Sequence, residues 1–125
     1  MRALCLAISL LCLCSYACAD VADGNKLLER CKNHGTEDTY TPNAVGAFNE
    51  GMCIGYISGI KDALRMAAVE ADKSGSIGVC FPEGGIPNGE AVLVVIKWLK
   101  DHPEKLHEPA IALTVKAFQK AFPCK

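Results

Sequence analysis

The chain of 125 residues lacks several features that would indicate common functional classes. It has no run of like charges, and its 13 basic and 14 acidic residues nearly cancel, so no nucleic-acid-binding surface is indicated. Its apolar N-terminal stretch, residues 3–13, is too short to span a bilayer as a permanent helix. These absences direct attention to protein partners.

The residues that carry catalytic or metal chemistry are also too few or wrongly spaced. No C-x-x-C motif is present, and His102 and His107 do not have the spacing that places two ligands on one helix face. Ser58 lies one place late for a nucleophile elbow and falls inside a predicted helix. No phosphate loop follows a strand, so Gly84 and Gly85 are interpreted as a turn. The sequence therefore predicts no enzyme, no metal site and no cofactor.

The N-terminal segment has the layout of a cleavable signal peptide. A positive charge at the start, an apolar stretch and small residues at Ala17 and Ala19 fit the usual cleavage rule. We predict a signal peptide at residues 1–19 and a single domain at residues 20–125. Acylation of Cys18 as a lipoprotein stays open as an alternative, although no leucine stands three residues before it.

Apolar residues at steps of three and four predict an all-α fold, a small bundle of about four helices. The first helix is expected from residue 22 or 23 to residue 33, with Asp23 as its cap. The second and longest helix is expected over residues 44–74. Its predicted buried stripe consists of Cys53, Ile57, Ile60, Leu64, Ala67 and Ala71.

Proline and asparagine mark the limits of two further helices. The third is expected to begin at Asn88 as a cap and to continue through Leu99. A short connection follows, in which Pro103 opens one helical turn. The fourth helix begins near Pro109 and ends before Pro123. Its predicted buried face consists of Ile111, Val115, Phe118 and Phe122.

The domain would retain four of the eight cysteines, namely Cys31, Cys53, Cys80 and Cys124. An even number in an oxidising compartment predicts two disulfides, for which three pairings are formally possible. The short connection makes the last two helices antiparallel, which brings Cys124 near Cys80. Cys31 and Cys53 meet if the first two helices also form a hairpin, so we expect these two pairs.

Three glycines, Gly51, Gly55 and Gly59, recur every fourth residue on the side of the second helix away from its buried stripe. An interior glycine costs about 1 kcal/mol relative to alanine, so a face of three predicts close packing against another helix. Packing within the monomer is our first interpretation. A seam between two copies is the alternative.

Several segments together resemble a known family. Residues 52–59 read M-C-I-G-Y-I-S-G, and residues 80–84 read C-F-P-E-G. The most specific part is W-L-x-x-H-P-E-x-L-H-x-P-A at residues 98–110, followed by A-F-P-C at residues 121–124. This combination, which extends over nearly the whole exported domain, resembles the Rap/Tai family of periplasmic immunity proteins.

The resemblance implies an all-helical, disulfide-bonded and often dimeric protein in the periplasm of a Gram-negative bacterium. Its partner would be a peptidoglycan amidase delivered by a type VI secretion system, which the protein binds and neutralises. For this hypothesis we take the loop at residues 81–87 and the turn at residues 102–107 as partner-binding surfaces. The candidate contact residues are Phe81, Glu83, Gly84, Gly85, Ile86, His102, Glu104 and His107.

A second hypothesis is a small periplasmic acid-stress chaperone. Such a protein would expose apolar surface when its carboxylates become protonated. The two expected disulfides oppose this opening, because they restrain the chain. Another non-catalytic binding protein of the cell envelope is a third alternative.

Overall fold

The computed structural model describes residues 21, 23–35, 43–70 and 77–125. This part of the chain forms α1 (Gly24–Cys31), α2 (Ala44–Glu70), α3 (Asn88–Asp101) and α4 (Ala110–Ala121), with a 3-10 turn at Pro103–Lys105. The all-α prediction is therefore confirmed. Across these ranges, no helix is long and apolar enough to cross a membrane. The predicted signal peptide and the extension of α2 to residue 74 lie outside the described residues.

Capping residues and prolines define the helix ends much as predicted. The Asp23 Oδ1 accepts a hydrogen bond from the backbone N–H of Lys26 at 2.9 Å, which satisfies one of the free donors at the start of α1. Pro103 opens the 3-10 turn, and Pro109 directly precedes α4. The helix α1 ends at Cys31, two residues earlier than expected.

The start of α3 differs from the prediction. Asn88 is the first residue of α3, and the N-cap position before it is occupied by Pro87. Its Oδ1 accepts a hydrogen bond from Lys61 instead. The expected N-cap at Asn88 is therefore wrong, because a lysine that projects from α2 uses this acceptor.

The hydrophobic core lies where all four helices meet. Burial of each large apolar side chain stabilises the fold by about 1.5–3 kcal/mol. The largest fully buried apolar side chains are Phe118, Leu27, Ile57, Leu99, Leu113, Val92 and Val95. The predicted stripe of α2 is buried at Cys53, Ile57 and Leu64.

The buried face of α4 is rotated relative to the prediction. Phe118 is fully buried as expected, but Ile111 is 56% exposed, and the face includes Leu113 and Ala117 instead. The physical reason is the docking of α1, whose first residue, Gly24, packs against α4. A Cβ atom added at Gly24 would lie 2.5 Å from the Leu113 Cδ1, so a glycine is needed for this close approach.

Both predicted disulfides are present. Cys31–Cys53 joins the end of α1 to α2 with a Cα–Cα distance of 5.1 Å. Cys80–Cys124 joins the segment before α3 to the C-terminal end, with a Cα–Cα distance of 4.9 Å. The backbone N–H of Cys80 also donates to the Phe122 carbonyl at 2.8 Å. The hairpin arrangement inferred from the sequence is thus the one that the chain adopts.

Candidate partner-binding surfaces

The loop at residues 81–87 is anchored at both ends by apolar side chains. Phe81 packs edge-on against Phe118, with ring centroids 5.3 Å apart, and also contacts Phe122. Ile86 is only 8% exposed and belongs to the hydrophobic core. A buried side chain offers little surface to a partner, so Ile86 is corrected from a contact residue to an anchor of the loop.

The exposed tip of this loop is a tight turn with a fixed backbone. The Gly85 N–H donates to the Pro82 carbonyl at 2.8 Å, which closes the turn around Glu83 and Gly84. Gly84 and Gly85 have φ angles of 88° and 79°, a region that L side chains rarely adopt. Pro82, Glu83 and Gly84 are exposed. The tip therefore presents one carboxylate on a rigid turn.

A buried lysine of α2 is hydrogen-bonded to the last part of the loop. Lys61 is 5% exposed, and its Nζ donates to the Ile86 carbonyl at 3.3 Å and to the Asn88 Oδ1 at 2.5 Å. The Asp62 carboxylate lies 3.4 Å from the same nitrogen. Lysine is rarely buried to this extent unless its charge is paired and hydrogen-bonded. These contacts connect α2 to the loop and to the first residue of α3.

A second basic residue of α2 lies against the loop. A Cβ atom added at Gly85 would be 3.0 Å from both the Cζ and the Nη1 of Arg65. The guanidinium group therefore lies directly on the backbone of Gly85, where any larger residue would displace it. Arg65 itself is exposed, so it forms part of the surface beside the loop tip.

The turn at residues 102–107 is the second candidate surface. The Nδ1–H of His102 donates to the Trp98 carbonyl at 2.8 Å, and the two rings stack with centroids 4.1 Å apart. Glu104 and His107 are exposed, whereas His102 is half-buried. The turn is therefore ordered by contacts with the end of α3.

A groove of about 300 Å³ lies next to this turn, between α3 and α4. Its floor contains Val94, Trp98 and Ala117, and Lys120 lies at its edge. The pattern of the sequence did not reveal this groove, because it depends on how the two helices pack. Nothing in the described residues identifies an occupant.

The structure does not bring the two candidate surfaces together. They lie at opposite ends of α3, and a helix of 14 residues is about 21 Å long. Glu83 at one end and Glu104 at the other are therefore too far apart to contact the same small feature of a partner. A single partner would need a wide interface to reach both.

Two ionised carboxylates near the turn are paired with lysines. The Lys116 Nζ donates to Glu108 at 2.5 Å, and this hydrogen bond lowers the pKa of the Glu108 carboxyl. Lys97 donates to Asp101 at 2.7 Å and lowers the pKa of that carboxyl in the same way. Asp101 is exposed and Glu108 is half-buried at the surface, so the pairs contribute little to stability.

The glycine face of α2, defined by Gly51, Gly55 and Gly59, is not packed against any described part of the chain. All three residues are exposed, and a Cβ atom added at any of them would meet nothing within 4 Å. The expectation of packing within the monomer is thus wrong for the residues that the structure describes. A contact with a second copy, the alternative interpretation of the face, stays a prediction.

Apolar side chains extend this face towards both ends of α2. Phe48 is 54% exposed and Met66 is 60% exposed. Val45 and Val69 are exposed by 68% and 74%. Of the exposed α2 side chains that the structure describes, only Asp62 and Arg65 carry a charge. An exposed helix face with so little charge is typical of an interaction surface.

Side-chain contacts near Phe48 join the end of α1 and the residues just after it to the first part of α2. The Arg30 guanidinium lies over the Phe48 ring at 5.3 Å from its centroid, and it also donates to Asn49. The Nδ1 of His34 lies 2.5 Å from the Glu50 Oε1. No group of acidic, histidine or cysteine side chains suited to a metal ion occurs in the ranges that the structure describes.

Sequence reasoning missed Lys61 and Arg65 as supports of the loop. A signal for Lys61 was present, because it stands four residues after Ile57 and three before Leu64 and so falls on the buried stripe of α2. No comparable signal exists for Arg65. Its contact depends on the path of the loop, which periodicity does not give.

The comparison with known proteins agrees with this architecture. The family described as Rap1a immunity proteins matches residues 23–124, which include all four helices and both disulfides. No curated protein and no solved structure matches the chain. Members of this family are inhibitors of secreted effectors and are not enzymes. Because the match covers most of its length, the chain belongs to the family of Rap1a immunity proteins.

Proposed function

We propose that this protein acts in the periplasm as an immunity protein that binds and neutralises a secreted peptidoglycan amidase. The family match over residues 23–124 carries the immunity role, and the amidase as its target is what the resemblance to the Rap/Tai family implies. Export is supported by the two disulfides, since such bonds form and persist in oxidising compartments. The layout of residues 1–19 supports a cleaved signal peptide as the route.

Neutralisation by binding requires a rigid surface that fits the partner, and it needs no catalytic group. The 81–87 loop supports this mechanism, because its tip is exposed while its two ends are anchored in the core. A preorganised loop loses little conformational entropy when it binds a partner. We therefore place the main toxin contact at the tip, around Glu83 and Gly84.

Co-expression in a bacterial host tests the function. The product of the adjacent open reading frame is secreted to the periplasm, with and without this protein, and lysis is followed by optical density. We expect lysis from the toxin alone and survival when both are present. Lysis that continues despite good expression of this protein would contradict the proposal. A Cys31→Ser variant with its own signal peptide serves as the misfolded control.

A matched pair of substitutions tests where the toxin binds. Glu83 and Glu104 are both exposed carboxylates, but they lie at opposite ends of α3. We expect Glu83→Ala to weaken binding of the purified toxin by roughly tenfold, as for a charged contact at an interface. Glu104→Ala should leave the affinity nearly unchanged. If Glu104→Ala weakens binding and Glu83→Ala does not, the contact lies at the 102–107 turn.

We further propose that the glycine face of α2 is the seam of a homodimer. A two-fold axis through Gly55 would pair Gly51 of one copy with Gly59 of the other, so both copies would use the same surface. Because glycine has no side chain, two helices can approach each other closely at these positions. The helix has 27 residues and is about 40 Å long, which gives a sufficiently extended contact.

Sedimentation of the exported domain tests this seam. Gly55→Leu adds a side chain where the monomer has open space, so we expect it to preserve the fold and abolish the dimer. Lys100→Leu places the same apolar side chain at an exposed position of α3, and this variant should remain dimeric. A monomeric native protein, or a dimeric Gly55→Leu variant, would contradict the proposed seam.

A further inference from the structure

We infer that Lys61 is a positioning residue, which holds the 81–87 loop in the conformation that binds the toxin. This inference rests on the proposed function, because it assumes that the loop tip is the toxin contact. It assigns a role to a residue that is buried beneath the surface and lies outside the loop itself.

The ammonium group joins α2 to two neighbouring points of the chain, the Ile86 carbonyl and the Asn88 side chain. Its bond to the Ile86 carbonyl fixes the end of the loop, and its bond to Asn88 fixes the start of α3. Asp62, at 3.4 Å, is the acidic group that faces it. Ile86 is buried, so without Lys61 its carbonyl would lose a hydrogen bond in a place where water has little access.

The consequence for the tip follows from the geometry of the turn. The tip is closed by the single bond from the Gly85 N–H to the Pro82 carbonyl, and Gly85 immediately precedes Ile86. Two consecutive glycines with positive φ angles have many alternative conformations available. Loss of the hydrogen bond at the Ile86 carbonyl therefore gives the backbone at Gly85 more freedom, and Glu83 would lose its fixed direction.

Amide hydrogen exchange and toxin affinity, measured on the same variants, test this role. Lys61→Met keeps the length of the side chain and removes its donors. We expect the helices to remain folded, exchange at the Gly85 N–H to become at least about fivefold faster, and toxin affinity to fall by roughly tenfold. Lys61→Arg retains hydrogen-bond donors and the positive charge, so it should restore in part both the slow exchange at Gly85 and the toxin affinity. Lys97→Met, which removes an exposed lysine, should change neither.

Asn88→Ala is a second, milder variant, because Asn88 is exposed and supplies one of the acceptors of Lys61. It should shift exchange and affinity in the same direction by a smaller factor, and it keeps the test open if Lys61→Met does not fold. Unchanged exchange at Gly85 in a folded Lys61→Met protein would overturn the inference. Faster exchange with unchanged affinity would also overturn it, since the loop would then not be the contact.

The proposed function fails separately from this inference. If the wild-type protein does not bind the toxin at all, the immunity proposal is wrong, whatever the exchange data show. If the wild type binds and both Lys61→Met and Asn88→Ala bind equally well, the immunity role stands and the role of Lys61 is wrong. The two failures are therefore distinguishable in one series of measurements.

Discussion

The two disulfides of this domain lie in opposite environments. Cys31 and Cys53 are 1% and 0% exposed and belong to the hydrophobic core, whereas Cys80 and Cys124 are both exposed. The first bond therefore fills space between α1 and α2 as well as joining them. The second fixes the loop before α3 to the end of the chain. Cysteines that look equivalent in the sequence thus contribute to the fold in different ways.

Removal of each disulfide gives the largest expected effect. In the chain-entropy model, closing 22 residues stabilises by about 3.4 kcal/mol and closing 44 residues by about 4.0 kcal/mol. Entropy alone would therefore rank the exposed bond first. Replacing two buried cysteines also leaves a void in the core, which adds roughly 1–2 kcal/mol.

We therefore expect Cys31→Ala with Cys53→Ala to cost about 5 kcal/mol, close to the whole stability of a small domain. Cys80→Ala with Cys124→Ala should cost about 4 kcal/mol or less, because no void forms. Urea unfolding followed by circular dichroism measures both values. A larger loss for the exposed pair would contradict the distinction between the two environments.

Gly24 and Gly55 also lie in opposite environments, and substitutions at them should change stability by less than the loss of a disulfide does. Gly24 is packed against α4, so Gly24→Ala should destabilise the domain by about 1–3 kcal/mol through overpacking. Gly55 faces open space, so Gly55→Ala should stabilise α2 in the monomer by up to about 1 kcal/mol. Thermal unfolding of the two variants at low concentration checks the opposite signs. Destabilisation of the monomer by Gly55→Ala would show that this face is covered within the chain.

A surface ion pair gives the smallest expected effect. Lys116 lowers the pKa of Glu108, so this pair stabilises the fold above the ordinary pKa of a glutamate, and the contribution is lost as the pH falls through the lowered value. Lys116→Met should raise the pKa of Glu108 towards its ordinary value and barely change stability at neutral pH. Carboxyl titration by NMR measures the shift, with Lys120→Met as the control. An unchanged pKa would mean that the pair does not form in solution.

Much of the fold could be predicted because its signals are local. Asp23 as a cap and Pro103 and Pro109 as starting residues act through the neighbouring backbone, so the sequence contains all that is needed. The pairing of the cysteines followed from the helix order and the short connection between α3 and α4. These features depend little on the details of side-chain packing.

Features that depend on contacts between distant segments could not be predicted in the same way. The helix α4 is apolar on several sides, so periodicity did not decide between Ile111 and Leu113. The docking of Gly24 decides it in the structure. Likewise, Asn88 was expected as a cap from its residue type, whereas the helix includes it as the first residue and its oxygen accepts from the buried Lys61.

The candidate surface could be predicted only in outline. The density of glycine and proline located the 81–87 loop, but not which of its side chains point inwards. The structure divides it into anchors, Phe81 and Ile86, and an exposed tip around Glu83. The glycine face of α2 was recognised from its spacing. That no described part of the chain packs against this face could be learned only from the packing of the other helices.

The most direct test of the central claim is inhibition of the toxin in a purified system. The disulfide-bonded domain, residues 20–125, is titrated into the amidase encoded by the adjacent open reading frame, and hydrolysis of purified peptidoglycan is followed. Our account predicts that hydrolysis falls linearly and stops near one domain per amidase. Hydrolysis that continues unchanged at tenfold excess of the folded domain would contradict the account.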